Sequence, residues 1–161
     1  MAAFEEILSR DGRIVYRTRG VSMEPILRQN RDLVIIETTP SRLRPLDVAL
    51  YRRGSSYVLH RVIRVEEDHY LIRGDNTYTL EKVPDSAVLG VLTGFQRKGR
   101  EYSTKNIGYR AYALCWNAAY PLRSFCIRGR RLAVRIAGKT GILPLLRRAA
   151  EKTDADRNTE L

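Results

Sequence analysis

The sequence predicts a mainly β fold with some α: a compact coiled sheet, or small barrel-like module, followed by basic helices. Short segments rich in Val, Ile, Leu and Tyr recur through residues 1–96 with turn residues between them, the mark of several short strands. From about residue 105 the pattern turns helical. The charge divides at nearly the same place. Residues 1–96 hold 14 Lys/Arg against 13 Asp/Glu, whereas residues 97–161 hold 15 against 5. These shifts predict a β module over 1–96, a basic helical arm over 97–150 and a polar tail over 151–161.

The elements follow in order. The first ten residues suit a short helix. "RIVYRTRG" alternates apolar and basic residues from residue 13, and "DLVIIE" (32–37) is a short apolar run suited to a buried strand. "DVALYRR", "SYVLHRVIRVEE" and "HYLIRGD" continue the β pattern, separated by the turns "RRGSSY" and "EEDHY". "AVLGVLTGFQ" closes the series. Beyond about 105, helical periodicity is broken by Pro121, Gly129, Gly141 and Pro144.

Composition narrows the classes. A chain of 161 residues with 43% hydrophobic and 29% charged residues can bury one core. No run of 18 apolar residues predicts a membrane-spanning helix. The N-terminus carries acids and does not read as a signal peptide. Cys115 and Cys126 have no metal-ligand spacing and read as reduced, mostly packed thiols, which places the chain in the cytoplasm.

One stretch points to chemistry. In "RGVSMEPIL", Ser22 sits on a turn between two predicted strands. A serine nucleophile needs a base for its proton and a group to orient that base. The chain has two histidines: His60 inside a predicted strand, and His69 in the polar "EEDHY" turn, where it reads as solvated. Carboxylates able to orient His60 occur at Asp75, Glu81 and Asp85. Taken singly, each feature has a bland reading: a turn serine, a packed strand histidine, an Asx turn at "GDN".

Their order is more specific. "GVSMEP", then "HRVI" with its histidine 38 residues after the serine, then "GDN" with its aspartate 15 residues after the histidine, resembles the signal peptidase I clan, which includes the LexA-like self-cleaving repressors. Within it, the likeness is to the branch of the endoplasmic reticulum, archaea and some Gram-positive bacteria, which uses histidine where other members use lysine. The resemblance covers residues 17–95. It implies a serine endopeptidase acting on leader or signal-type peptides through an acyl-enzyme, with no cofactor and no metal. Ser22 would be the nucleophile, His60 the general base and Asp75 its acidic partner, with Glu81 as substitute carboxylate. Met23 and Pro25 would shape the turn and an apolar floor. The substrate would be a peptide or precursor protein added as an extended strand at an open sheet edge.

The chain departs from the family pattern in several places. No membrane anchor precedes the serine box, and the glycine that usually precedes Asp32 is replaced by Arg31. Gly20 stands where many relatives carry a hydroxyl residue, so oxyanion donors would be backbone N–H groups around Val21 and Ser22. Glycine there also permits an unusual backbone angle.

The basic arm leaves three partners open. Residues 97–148 hold 13 Lys/Arg and one acid, interleaved with Tyr109, Tyr112, Trp116, Tyr120 and Phe125. Residues 105–148 suit helices packed on the sheet, or an amphipathic surface bound peripherally to the cytoplasmic face of an anionic membrane. Nucleic acid is disfavoured, since no RNA- or DNA-reading motif is present. Two non-enzymatic alternatives stand beside the peptidase: a retired peptidase fold used for binding or dimerisation, and a membrane-surface adaptor built on the arm. A repressor is disfavoured, because no helix-turn-helix precedes the first strand.

Overall fold

The computed structural model describes residues 4–39 and 41–125. It is mainly β, with one antiparallel sheet of eight strands and a few short helices. Helix α1 (Phe4–Asp11) leads into β1 (Arg13–Arg17), and β2 (Asp32–Glu37) follows the serine-bearing turn. Then come β3 (Val48–Arg53), β4 (Ser56–Val65), β5 (His69–Arg73), β6 (Glu81–Pro84), β7 (Val88–Arg97) and β8 (Arg100–Ser103). Helix α2 (Ile107–Ala118) comes next. Neighbours in the sheet run β1-β2-β7-β3-β4-β5-β6, with β8 paired to β7.

Strand β3 shows how the sheet is held. Val48 and Leu50 enter one apolar cluster with Leu8, Met23, Leu27 and Phe95. Ala49 and Tyr51 enter another with Val62, Ile72 and Val83. Alternate side chains of a strand point to opposite faces, so β3 is buried on both sides. Its partner β4 carries His60 opposite Ala49, and this register places the histidine on the same face as Tyr51. Gly54, with φ of +60°, makes the tight turn that sets this hairpin.

The first compact unit runs from Met1 to Tyr120, past the boundary expected near residue 97. The reason is physical. Strand β8 extends the sheet beside β7, and α2 buries Ala113 while Tyr109 packs against the first apolar cluster. Asn106 caps α2, its side chain accepting from Gly108 N–H at 2.8 Å. Residues 105–120 of the expected arm are therefore part of the sheet module. The second unit spans Pro121–Leu161. Its described residues, 121–125, are helical, and Ser124 Oγ donates to the Pro121 carbonyl at 2.9 Å. The rest of the basic arm and the polar tail lie outside the described residues.

Cys115 is exposed on α2, contrary to the packed thiol expected, because the inward positions of that helix are taken by Ala113 and the aromatic residues. Cys126 lies outside the described residues. Among the described residues no helix is long and apolar enough to cross a membrane.

Candidate active site

The turn between β1 and β2 holds Ser22 by its backbone. Gly20 adopts a φ of +87°, a left-handed conformation that side-chain-bearing residues rarely take. The Gly20 N–H donates to Gln29 Oε1 at 3.1 Å, closing the base of the turn. Glu24 N–H donates to the Val21 carbonyl at 3.2 Å, and Leu27 N–H to the Met23 carbonyl at 3.0 Å. Met23 and Leu27 plug the core beneath, at 5% and 1% exposure. Val21 and Pro25 are exposed, and the Glu24–Pro25 peptide is cis. Met23 thus lies in the core beneath the turn and Pro25 on its exposed outer side.

Asp32 anchors the far end of the turn. Its carboxylate is fully buried. It accepts from Arg31 at 2.7 Å, from Arg97 at 3.0 Å and from the Arg28 N–H at 3.0 Å. Burial opposes the charge, but these hydrogen bonds outweigh it and hold the carboxyl well below the usual carboxylate range.

The "GDN" loop after β5 brings serine and histidine together. A Cβ at Gly74 would stand 2.7 Å from the Ser22 carbonyl oxygen and 3.0 Å from His60 Nε2. Only a residue without a side chain lets both approach so closely. Two hydrogen bonds then tie the loop to the serine turn. The Asn76 N–H donates to the Ser22 carbonyl at 2.7 Å, and Asn76 Nδ2 donates to the Val21 carbonyl at 3.2 Å. Among the described residues no hydrogen bond joins Ser22 Oγ to His60; both flank the Gly74 backbone.

His60 is buried, at 5% exposure, and its two nitrogens face different partners. Nε2 faces Gly74 and the serine turn. Nδ1 lies 3.2 Å from Tyr51 Oη and 3.5 Å from Glu81 Oε1. Tyr51 Oη donates to Glu81 Oε2 at 2.9 Å, and Arg53 Nη1 donates to both oxygens of the same carboxylate at 2.9 and 3.0 Å. Burial, reinforced by the Glu81 acceptor, pushes the Tyr51 phenol above its ordinary value, so it stays protonated. An acceptor-only carboxylate beside Nδ1 favours the tautomer protonated there, leaving the Nε2 lone pair toward the serine. Burial pushes the imidazole below its ordinary value; Arg53 adds to the shift, while Glu81 and Asp75 oppose it. A neutral base at neutral pH results.

Asp75, the residue expected to orient His60, is engaged elsewhere. Its two oxygens accept from Arg61 Nε and Nη2, each at 2.7 Å, in a bidentate buried pair. Arg61 is 1% exposed and also donates to the Leu46 carbonyl at 2.8 Å. Burial works against the guanidinium charge, but Asp75 more than offsets it, and Arg61 titrates above its ordinary value. The carboxylate at His60 Nδ1 is Glu81, because β6 pairs with β5 and presents residue 81 opposite Ile72, beside the His60 strand. His69 begins β5 and contacts Asp68, away from this cluster. Asp85 pairs with Arg42 at the surface.

Several neighbours of the site carry no signal in the motif boxes. Tyr51 and Arg53 reach from β3 to Glu81 on β6, a placement set by strand register. The "HR" dipeptide did hold one clue. An arginine beside a buried histidine, next to two candidate carboxylates, demands an acidic partner of its own. No family model matches this chain, and no curated protein shows significant similarity to it.

Proposed function

We propose that the protein is a serine endopeptidase in which Ser22 is the nucleophile, His60 the general base and Glu81 the group that orients His60. The observation that carries this reading is the junction at Gly74, whose backbone lies close to both the Ser22 carbonyl and His60 Nε2 while Nδ1 faces Tyr51 and Glu81. That polarity suits a base aimed at a hydroxyl. In this reading Oγ meets Nε2 in the substrate complex, since such hydrogen bonds commonly tighten only when substrate is bound. His60 takes the Oγ proton as Oγ bonds to the scissile carbonyl carbon. The same imidazolium then protonates the leaving amine as the C–N bond breaks, and water releases the acyl group by the reverse sequence. Among the described residues no hydrogen bond uses the N–H of Ser22 or Met23, which makes them the donors available to the developing oxyanion.

The substrate in this reading is an extended peptide or precursor segment. Strand β1 stands at one end of the sheet order, exposes Val15 and runs directly into the Gly20–Ser22 turn. A peptide added along that edge would deliver a carbonyl to Ser22. The family likeness of "GVSMEP", "HRVI" and "GDN" favours a leader or signal-type peptide.

A serine-reactive probe tests the reading. The expected result is a single adduct on Ser22 in the intact protein, lost in Ser22→Ala and strongly slowed in His60→Ala. Peptide turnover that persists in Ser22→Ala would overturn the assignment. An inert Ser22 in folded protein would favour the retired-fold alternative.

A further inference from the structure

Resting on that reading, we infer that Trp116 and Tyr112 of α2 are positioning residues for the Ser22–His60 site, acting through the loop of residues 74–78. Neither residue lies in a motif box. Trp116 Nε1 donates to the Asp75 carbonyl at 3.0 Å, and Tyr112 Oη donates to Asp75 Oδ2 at 3.2 Å. Their rings stack on one another at 5.6 Å with an interplanar angle of 20°. Two neighbouring contacts repeat the theme. Tyr120 Oη donates to the Tyr78 carbonyl at 2.9 Å, and Arg73 Nη2 donates to Asn117 Oδ1 at 3.0 Å. Helix α2, with Tyr120 just beyond it, therefore holds the loop at Asp75 and Tyr78 and the strand end at Arg73 that leads into it.

The loop also bonds to itself and to the serine turn. Within it, Thr77 N–H and Thr77 Oγ1 both return to the Gly74 carbonyl, at 3.1 and 3.2 Å. Its grip on the serine turn includes the two Asn76 hydrogen bonds and the close approach of Gly74. The peptide unit anchored by Trp116 is the one joining Asp75 to Asn76. The carbonyl is held by the helix, and the N–H of that same unit holds the Ser22 carbonyl. A peptide group is planar and rigid, so fixing its oxygen fixes the direction of its N–H. Release of the Trp116 hydrogen bond lets the unit tilt and Ser22 drift from His60. Displacements of about 1 Å at a reacting group can cost up to 100-fold in rate.

The test uses the full-length protein with Trp116→Phe, which deletes the indole N–H but keeps a ring to stack on Tyr112, and Tyr112→Phe, which deletes only the hydroxyl. On a cleavable peptide, kcat should fall about 10- to 100-fold with KM within about twofold of wild type. The Asn76 amide should exchange with solvent about tenfold faster, while amides in the β3–β4 hairpin keep their wild-type protection. Unchanged exchange at Asn76 in both variants overturns the inference, whatever happens to activity. Equal loss of protection throughout the sheet also overturns it, since the helix would then act on stability alone. If the wild-type protein shows no Ser22-dependent turnover, the peptidase reading fails, and the exchange measurement still decides the positioning claim.

Discussion

Glu81 Oε1 lies 3.5 Å from His60 Nδ1, while both oxygens of Asp75 are committed to Arg61 at 2.7 Å. Two carboxylates flanking one histidine thus have different work, and substitution separates them. Glu81→Gln removes the acceptor that selects the Nδ1–H tautomer. It should lower kcat by about 10²- to 10⁴-fold with little change in Tm. Asp75→Asn strips the partner from a buried guanidinium, a change that costs roughly 3–5 kcal/mol of stability. Thermal unfolding and kinetics on the same samples check this. A stable, inactive Asp75→Asn with a fully active Glu81→Gln would reverse the assignment.

The pH dependence of kcat/KM should carry an acid limb below the ordinary imidazole value of 6.5, because burial disfavours the charged ring. Arg53 lowers the His60 value and Glu81 raises it. Arg53→Met should therefore move the limb up, and Glu81→Gln should move it down. The stability linkage has a definite sign. The folded histidine binds its proton more weakly than the unfolded one, so this contribution is whole above about pH 6.5 and is lost as pH falls toward the folded value. A limb above 6.5 would rule out His60 as the buried base.

Gly74→Ala probes the junction itself. The new methyl would stand 2.7 Å from a backbone oxygen that cannot rotate away and 3.0 Å from the imidazole. Forcing it in should cost about 1–3 kcal/mol of stability. It should also separate Ser22 from His60 and lower kcat by at least about 100-fold. A crystal structure of the variant should show the loop shifted from the serine turn. Near-normal turnover in Gly74→Ala would mean that serine and histidine need not approach here.

The strands long enough to alternate were legible in the sequence. "DLVIIE" is a strand over the predicted residues, and the other long runs differ from it by a residue or two at their ends. The short strands were not. β6 spans four residues and ends on Pro84, and all four residues of β8 are exposed, so neither gives a periodic signal. At the site, the motif boxes named Ser22, His60 and the "GDN" loop, and the fold places the Ser22 backbone and His60 on either side of Gly74. They could not choose between carboxylates, since that choice is made by the pairing of β6 with β5 and by the side chain of Arg61. The contacts of Trp116 and Tyr112 with Asp75 span 41 and 37 residues of sequence and have no local signature.

The C-terminal half of the chain gives the last prediction. Because the compact first unit ends at Tyr120, cutting at 105 removes the helix that holds the "GDN" loop, whereas cutting after 120 spares it. A chain of residues 1–120 should fold and react at Ser22 like the full-length protein; a chain of residues 1–104 should not. Cutting after 120 therefore lets the basic residues beyond it be tested for membrane binding apart from the Ser22 chemistry. Residues 121–148 contain eight Lys/Arg and no acid, and Leu122 and Phe125 are exposed at 71% and 77%. Attraction to an anionic bilayer is worth about 1 kcal/mol per basic residue close to the surface and is screened by salt. Full-length protein should co-sediment with phosphatidylserine vesicles at low salt and release at high salt, while the 1–120 chain stays in solution. Equal binding by both chains would place any membrane-facing surface on the sheet module instead. If neither chain binds, the basic segment does not act as a membrane anchor.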